Sequence, residues 1–355
     1  MPIESVGDFL KIVKQCYNNE SQAFFRGQSS SKYDISSSIY RFINNNKSGN
    51  EPDNFGYRLA RELFLNFSKN MPIYSEIHEL ENYELNELDL LMVAQHYGLS
   101  TRLIDLTKNP LVALFFATES AKKDNDCSIF MLFNSHKNPT AVSSSNDLFM
   151  SIKQEQKNLS SMAEIYERKS LSKSDIDLAH EFHQLTNNSD AFIPDSLIPP
   201  IMLHDKLHSR AMGMLALTNP QKAELADRVL NTERVNYIKG IATVTLHNPN
   251  SFIIEPLPIN PRIRNQQGVL LFSKDIENVE YSASDFNESN TIADISELKR
   301  VDNSAGIIRI DIQYEHAKAI HEELKLYGIT EDFIYPEITT YTKVLHKKVL
   351  AKVKI

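Results

Sequence analysis

Apolar positions recur along this chain at two different periods, and the change between them divides it into elements. Ile3, Val6, Phe9, Leu10 and Val13 fall three or four residues apart, which predicts a helix over residues 3–17. Leu59, Leu63, Phe64 and Phe67 repeat that spacing within 55–71. Leu88, Leu91, Met92 and Gln95 repeat it within 85–98, where Gly98 is placed to cap the helix. Between them Ala23-Phe24-Phe25 is a short strand-like run that stops at Arg26-Gly27. Asn109-Pro110 opens a further helix, because proline is tolerated in a first turn whose N–H has no partner. Cys127–Phe133 is a continuous apolar run of strand length and predicts a buried strand.

The pattern weakens over residues 135–236, which are rich in Ser, Asn and Lys, with helical patches at about 147–188 and 220–238. This stretch is expected to be a mostly helical insertion within one domain spanning 1–355. Strand signals return at 240–247, 251–255, 268–273 and 307–312. The polar segment 283–304 reads as a long loop, and helices at 315–327 and 337–353 close the chain. Strands separated by helices on both sides predict an α+β fold, a mixed β-sheet surrounded by helices.

Composition changes this picture little. A hydrophobic content of 41% and a charged content of 24% are those of an ordinary globular protein. No run approaches the length needed to span a bilayer, so no membrane association is expected. The start of the chain has neither a basic nor a long apolar stretch and reads as the first helix. Two cysteines, Cys16 and Cys127, sit far apart in no metal or redox spacing, which fits a reducing cytoplasm. A net charge of -8 argues against a general nucleic-acid coat. It leaves room for a local basic patch such as Lys343, His346, Lys347, Lys348, Lys352 and Lys354, whose blander reading is a solvated helix face.

Candidate chemistry is concentrated in residues 95–117. Gln95, His96, Thr101, Arg102, Asp105 and Thr107 stand directly before the apolar run LVALFFA. Polar groups this dense beside a core segment suggest a site on a rigid support, or else a buried loop satisfying its own backbone. Arg26 sits at a strand end with a glycine after it, where a backbone can approach a ligand. Its planar fork suits phosphate or carboxylate, and the alternative is a tie to a carboxylate such as Glu62. His96 is a candidate acid–base or a packed ring, and Arg102 with Asp105 a candidate structural pair. Arg262, Arg264, Gln266 and Gln267 form a second polar cluster or a solvated hairpin. His180 with His183, and His204 with His208, have helical metal-ligand spacing but no third ligand, so no metal is expected. No P-loop, GxGxxG, GxSxG or CxxC pattern is present.

Taken together these segments resemble the FRG domain family. Phe25-Arg26-Gly27 matches its name motif, followed by Arg41 and by Glu62 with Phe67. Gln95-His96-Tyr97-Gly98-Leu99 through Thr101, Arg102, Leu103 and Asp105 to Ala117 matches its most specific block. Arg262-Ile263, Gln266 and Gly268 resemble a later block, and Tyr327-Gly328-Ile329 with Tyr335-Pro336-Glu337 a closing one. Leu106 stands where the family usually has an aromatic, and Glu337 where it often has Asp.

The order of Arg26, the Thr101–Thr107 block and Gln266-Gln267-Gly268 is also distantly similar to ADP-ribosyltransferases of the Arg-Ser-Glu type. That similarity implies an ADP-ribosyltransferase-like sheet and an enzyme using NAD as substrate to modify a protein or nucleic-acid acceptor, as a bacterial toxin or phage-defence effector does. Arg26, His96, Asp105 and Gln266 would carry the chemistry. Arg26, Gly27, Gln95, Thr101, Arg102 and Thr107 would bind the nucleotide. Gly268 falls where the transferase glutamate would stand, so Asp105 or Glu337 would have to replace it. The alternative is a nucleotide- or nucleic-acid-binding module without catalysis.

Overall fold

The computed structural model describes residues 2–17, 22–51, 55–74, 80, 83–133, 140–142, 145–154, 156, 241–245, 251–257, 261–299 and 306–353. The fold is α+β, and among the described residues it is built on one mixed sheet of eight strands. In chain order these are β1 (Ala23–Gln28), β2 (Leu103–Thr107), β3 (Cys127–Phe133), β4 (Thr140–Val142), β5 (Phe252–Ile254), β6 (Gly268–Phe272), β7 (Thr291–Ile292) and β8 (Ile307–Ile312). Their spatial order is β4-β5-β6-β2-β1-β3-β8-β7. The two edge pairs are parallel and every inner pair is antiparallel.

Pairing is uneven across the centre. β1 runs alongside β3 over six residue pairs, from Ala23↔Phe133 to Gln28↔Ser128. β2 runs alongside β6 over five, from Leu103↔Phe272 to Thr107↔Gly268. β1 meets β2 at the single pair Phe25↔Thr107. The two halves of the sheet therefore part almost as soon as they touch.

Each half has its own core. Helices α1 (Val6–Cys16) and α5 (Pro110–Glu119), with α8 (Tyr314–Glu323) later in the chain, bury Phe9, Ile12, Leu114, Phe115 and Ile320 against Phe25, Ile129, Met131 and Ile310. Helices α2 (Ser38–Asn46), α3 (Phe55–Asn70) and α4 (Glu87–His96) bury Ile43, Phe64, Leu88 and Met92 against Leu103, Leu270 and Phe272. Phe24, Ile104, Phe130 and Leu271 form a third cluster, covered by Ile35 and Phe286. Burying one such side chain contributes about 1.5–3 kcal/mol.

Several expectations needed correction. The strand opening at Ala23 does not stop at Arg26-Gly27 but runs to Gln28. Within the expected strand 240–247, Ala242–Thr245 is a helical turn, α6. Thr243, Val244 and Thr245 are buried in succession, which a short helix between α3 and α4 accommodates, and a short apolar run does not separate the two states. The polar cluster at 262–266 is a helix, α7 (Pro261–Gln266), and not a hairpin. The stretch 283–304 holds two short 3-10 turns and the edge strand β7. The chain closes with α9 (Glu331–Ile334) and α10 (Ile338–Val353). Of the insertion at 135–236, residues 145–154 are helical. His180, His183, His204 and His208 lie outside the described residues, and no metal-ligand cluster occurs among the described ones. No described helix is long and apolar enough to cross a membrane.

Candidate functional site

The parting of β1 and β2 opens a cleft of about 980 Å³, within the usual range for small-molecule sites. Phe25, Arg26, Gly27 and Gln28 all border it, as do Asp105, Leu106 and Thr107. Successive residues of a strand face opposite sides of a sheet. All of them can line one space only where the strands separate. Helix α4 contributes Gln95 and His96, and α7 contributes Arg262 and Gln266. Arg26, Gly27, Gln95, His96, Asp105, Thr107 and Gln266 thus meet in one place.

Thr101 and Arg102 do not line this cleft. Arg102 is 1% exposed and points into the core. Its Nη2 donates to the carbonyls of Ser273 and, at 3.0 Å, Lys274, and its guanidinium lies 4.0 Å from the Phe272 ring centre. Asp105 is not its partner. Thr101 is buried, and its hydroxyl donates to the side-chain oxygen of Gln95 while accepting from Leu103 N at 3.1 Å. Both residues hold the site up from beneath instead of facing a ligand.

The remaining residues divide by what they are committed to. Gln95 Nε2 donates to Asp105 Oδ1 at 2.8 Å, so Thr101, Gln95 and Asp105 form one chain of hydrogen bonds ending at a carboxylate in the cleft. The end of α4 aims Gln95 and His96. Gly98, at φ +88°, lets Gly98 N reach Gln95 O and Leu99 N reach Ala94 O, each at 2.9 Å. Burial, and next the charge of Arg262, push the His96 imidazole below its usual range, while Glu337 and Asp105 oppose the shift. The shift favours the neutral imidazole, the form able to accept a proton.

Thr107 and Gln266 are more committed. Thr107 Oγ1 donates to Gln266 O at 2.6 Å and accepts from Asn109 N at 2.9 Å, tying the end of β2 to α7. Gln266 Nε2 donates to Ile334 O at 3.0 Å, so its amide nitrogen is turned to α9 and not to an acceptor in the cleft. Gly27 also differs from expectation. A Cβ there would stand 1.9 Å from Ala113 O. The backbone that approaches this glycine is that of α5, not a ligand's.

Arg26 is central. Its Nη1 donates to the Asp105 carbonyl at 2.6 Å, across the gap where the ladder between β1 and β2 has ended. Its Nε is buried with no partner, as is Gln28 Oε1. Leaving a buried donor unmet costs about 1–3 kcal/mol. Burial lowers the Arg26 pKa, as does the charge of Arg41, while Asp105 raises it. Glu62 does not compensate it, being exposed on α3 and bound to Arg61 at 2.6 Å.

Arg41, Lys32 and Arg262 join Arg26 around the cleft, and the carboxylates Asp34 and Asp89 are already engaged. Asp34 Oδ1 accepts from Ala283 N at 2.7 Å. Asp89 accepts from Asn86 N at 3.1 Å and from Ser145 Oγ at 2.7 Å, as part of the α4 cap. Hydrogen bonds from these neutral groups leave both carboxylates charged, and with Asp105 they set three carboxylates against Arg26, Lys32, Arg41 and Arg262. The cleft thus keeps a small excess of positive charge within a chain whose net charge is -8. Tyr33, Tyr40 and Phe116 add aromatic surface. Lys32 and Tyr40 carry no local motif that would have singled them out, whereas Phe116 lay within the block 95–117 and Arg41 stood among the residues resembling the FRG family.

Residues 21–126 match the family model of the FRG domain. The match runs from just before β1 to just before β3, and so includes both strands that flank the cleft. No curated protein and no solved structure matches the chain.

Proposed function

Starting from an FRG domain whose two central strands part around a cationic cleft, we propose that this cleft binds a nucleotide through its phosphates, with NAD the first candidate. The observation that carries the reading is Arg26, a guanidinium held at one end by the Asp105 carbonyl, with Nε buried and unmet, in a cleft that also holds Arg41 and Arg262. Arginine forks match phosphate oxygens two at a time. Tyr33, Tyr40 and Phe116 supply faces for a base or a nicotinamide ring.

A second reading, ADP-ribosyl transfer, is favoured by Asp105. Its carboxylate reaches the same cleft, is fixed by Gln95 and lies in no ion pair among the described residues. Such a carboxylate would stabilise the ribosyl cation that forms as nicotinamide leaves. His96, whose neutral form burial favours, would take the proton from an acceptor hydroxyl or amine. Glu337, exposed just before α10, acts on His96 through its charge but does not line the cleft, so Asp105 is taken as the carboxylate of this mechanism. The acceptor would be a macromolecule, as for toxins and phage-defence effectors, acting in the cytoplasm, where buried thiols such as Cys16 and Cys127 stay reduced.

Calorimetric titration of NAD, run beside incubation with labelled NAD plus protein, RNA and DNA, tests both readings. Losing one charged hydrogen-bond donor costs about 1.5–3 kcal/mol. Arg26→Ala is therefore expected to weaken NAD about tenfold to a hundredfold, with Arg26→Lys between. Asp105→Asn is expected to keep NAD binding and lose label transfer. Binding without transfer by the wild type would leave a nucleotide-binding module. No binding of NAD by the folded wild type would sink the NAD reading and the transfer reading with it.

A further inference from the structure

Beside the main cleft, and sharing Arg26, Arg41, Gln95 and Asp105 with it, is a side chamber of about 190 Å³. At about 30 Å³ per water it has room for roughly six waters, or for one phosphate group with part of its hydration. Arg26 and Arg41 both line it, together with Ser36, Ser38, Gln95 and Asp105.

The two guanidiniums are anchored in the same way. Arg26 Nη1 donates to the Asp105 carbonyl, and Arg41 Nη1 donates to the Ser36 carbonyl, each at 2.6 Å. A backbone carbonyl orients a guanidinium without cancelling its charge. No carboxylate forms an ion pair with either arginine among the described residues. Each cation raises the cost of the other, and the proximity of Arg41 is one cause of the lowered pKa of Arg26. Two like charges set side by side in a concave space, with a buried donor still unmet, await an anion.

We propose that this chamber is a phosphomonoester subsite, and that the nucleotide bound in the cleft places a terminal, doubly charged phosphate between Arg26 and Arg41. The inference rests on the nucleotide reading above and redirects it, since NAD, whose two phosphates each carry one charge and neither of which is terminal, would leave this chamber unfilled. A phosphomonoester carries about -1.5 to -2 charges at pH 7, against one for a diester. Two guanidiniums facing the single Asp105 carboxylate keep a net positive charge, from which a monoester gains more than a diester does. The hydroxyl of Ser38 is already committed, donating to Thr101 O at 3.1 Å and accepting from Thr101 N at 2.9 Å. Recognition there falls to the arginines. The ligand class is a nucleotide ending in a free phosphate, of which AMP is the simplest probe.

The test compares AMP with its methyl ester, adenosine 5′-methyl phosphate, by calorimetric titration of the full chain. The pair differ by about one negative charge and one methyl group and share everything else. AMP is expected to bind at least tenfold more tightly. In Arg41→Gln and in Arg41→Ala that ratio is expected to fall below about threefold, with AMP losing more affinity than the methyl ester. Equal binding of the two ligands by the wild type overturns the proposal and needs no variant. So does a ratio that survives in both variants. NAD binding without any preference for AMP would overturn the subsite and leave the nucleotide cleft standing. Absence of binding by AMP, its ester and NAD alike would remove both.

Discussion

Gly27→Ala should unfold a large part of the stability of this protein, for a reason unrelated to any ligand. The added methyl would lie 1.9 Å from Ala113 O, 2.7 Å from Ala117 N and 2.9 Å from Ala113 C. Ordinary contact begins near 3.4 Å, so α5 and β1 must separate by about 1.5 Å. All three obstructing atoms are backbone and cannot rotate away. The helix that must move buries Val112, Ala113, Leu114, Phe115 and Ala117 completely or nearly so. One excess methylene in a packed core costs about 1–3 kcal/mol, and a backbone obstacle places this case at or above the upper end, at about 3 kcal/mol. That is a large share of the roughly 5–15 kcal/mol that keeps a domain folded. The chain has no tryptophan and 14 tyrosines, so urea unfolding is followed by tyrosine fluorescence and far-ultraviolet dichroism. Gly268→Ala is the internal control, since its Cβ would meet only Ile263 O, at 3.7 Å, and is expected to change stability by less than about 0.5 kcal/mol. A Gly27→Ala protein as stable as the control would refute the claim that helix packing, and not ligand approach, dictates this glycine.

Arg102→Met is expected to cost about 2–4 kcal/mol, because two buried carbonyls lose a charged donor, while the folded protein keeps its NAD affinity. Weakened binding with unchanged urea stability would instead return Arg102 to the ligand. Burial pushes both His96 and His321 below their usual range. As pH falls through about 6.5, the unfolded chain takes up protons that the folded one refuses, so the urea midpoint should drop between pH 7.5 and 5.5. His321→Gln should shrink that drop, since His321 packs on Phe115 and bonds Thr118 at 3.0 Å; an unchanged pH dependence would contradict the burial argument. Thr101→Val should leave Asp105 in place but loosen Gln95, weakening NAD less than Arg26→Ala does; an effect equal to that of Arg26→Ala would put Thr101 in contact with the ligand after all.

Much of this was legible in the sequence because the signals were local. Helical spacing located α1, α3 and α4 within a few residues, and Gly98 marked the end of α4 through the one backbone angle it must adopt. The dense block 95–107 was read as a site, and Gln95, His96 and Asp105 do meet Arg26 across the cleft. What misled was direction. Arg102 and Asp105 are three residues apart on or beside an extended strand, an odd spacing that sends the two side chains to opposite faces. Arg102 therefore enters the core while Asp105 reaches the cleft. Gly27 was read as an approach for a ligand because sequence does not show which backbone comes near. The helix at 242–245 was missed because buried β-branched residues carry no periodicity. Arg41 was noted, yet its place beside Arg26 depends on how α2 packs, which no local pattern encodes.

The single Phe25↔Thr107 pair has a mechanical consequence. A sheet usually transmits force along many parallel rungs, and here the two halves are coupled through one. Each half carries its own helices, and beyond that one pair the halves are joined by side-chain packing of Phe24 and Phe130 with Ile104 and Leu271, so shear between them is resisted by packing more than by hydrogen bonds. The Arg26 bond to the Asp105 carbonyl acts as a second rivet across that joint. An anion gripped from both sides would add more, so occupancy and stiffness should rise together, and amide exchange along β1 and β2 should slow when the joint is filled.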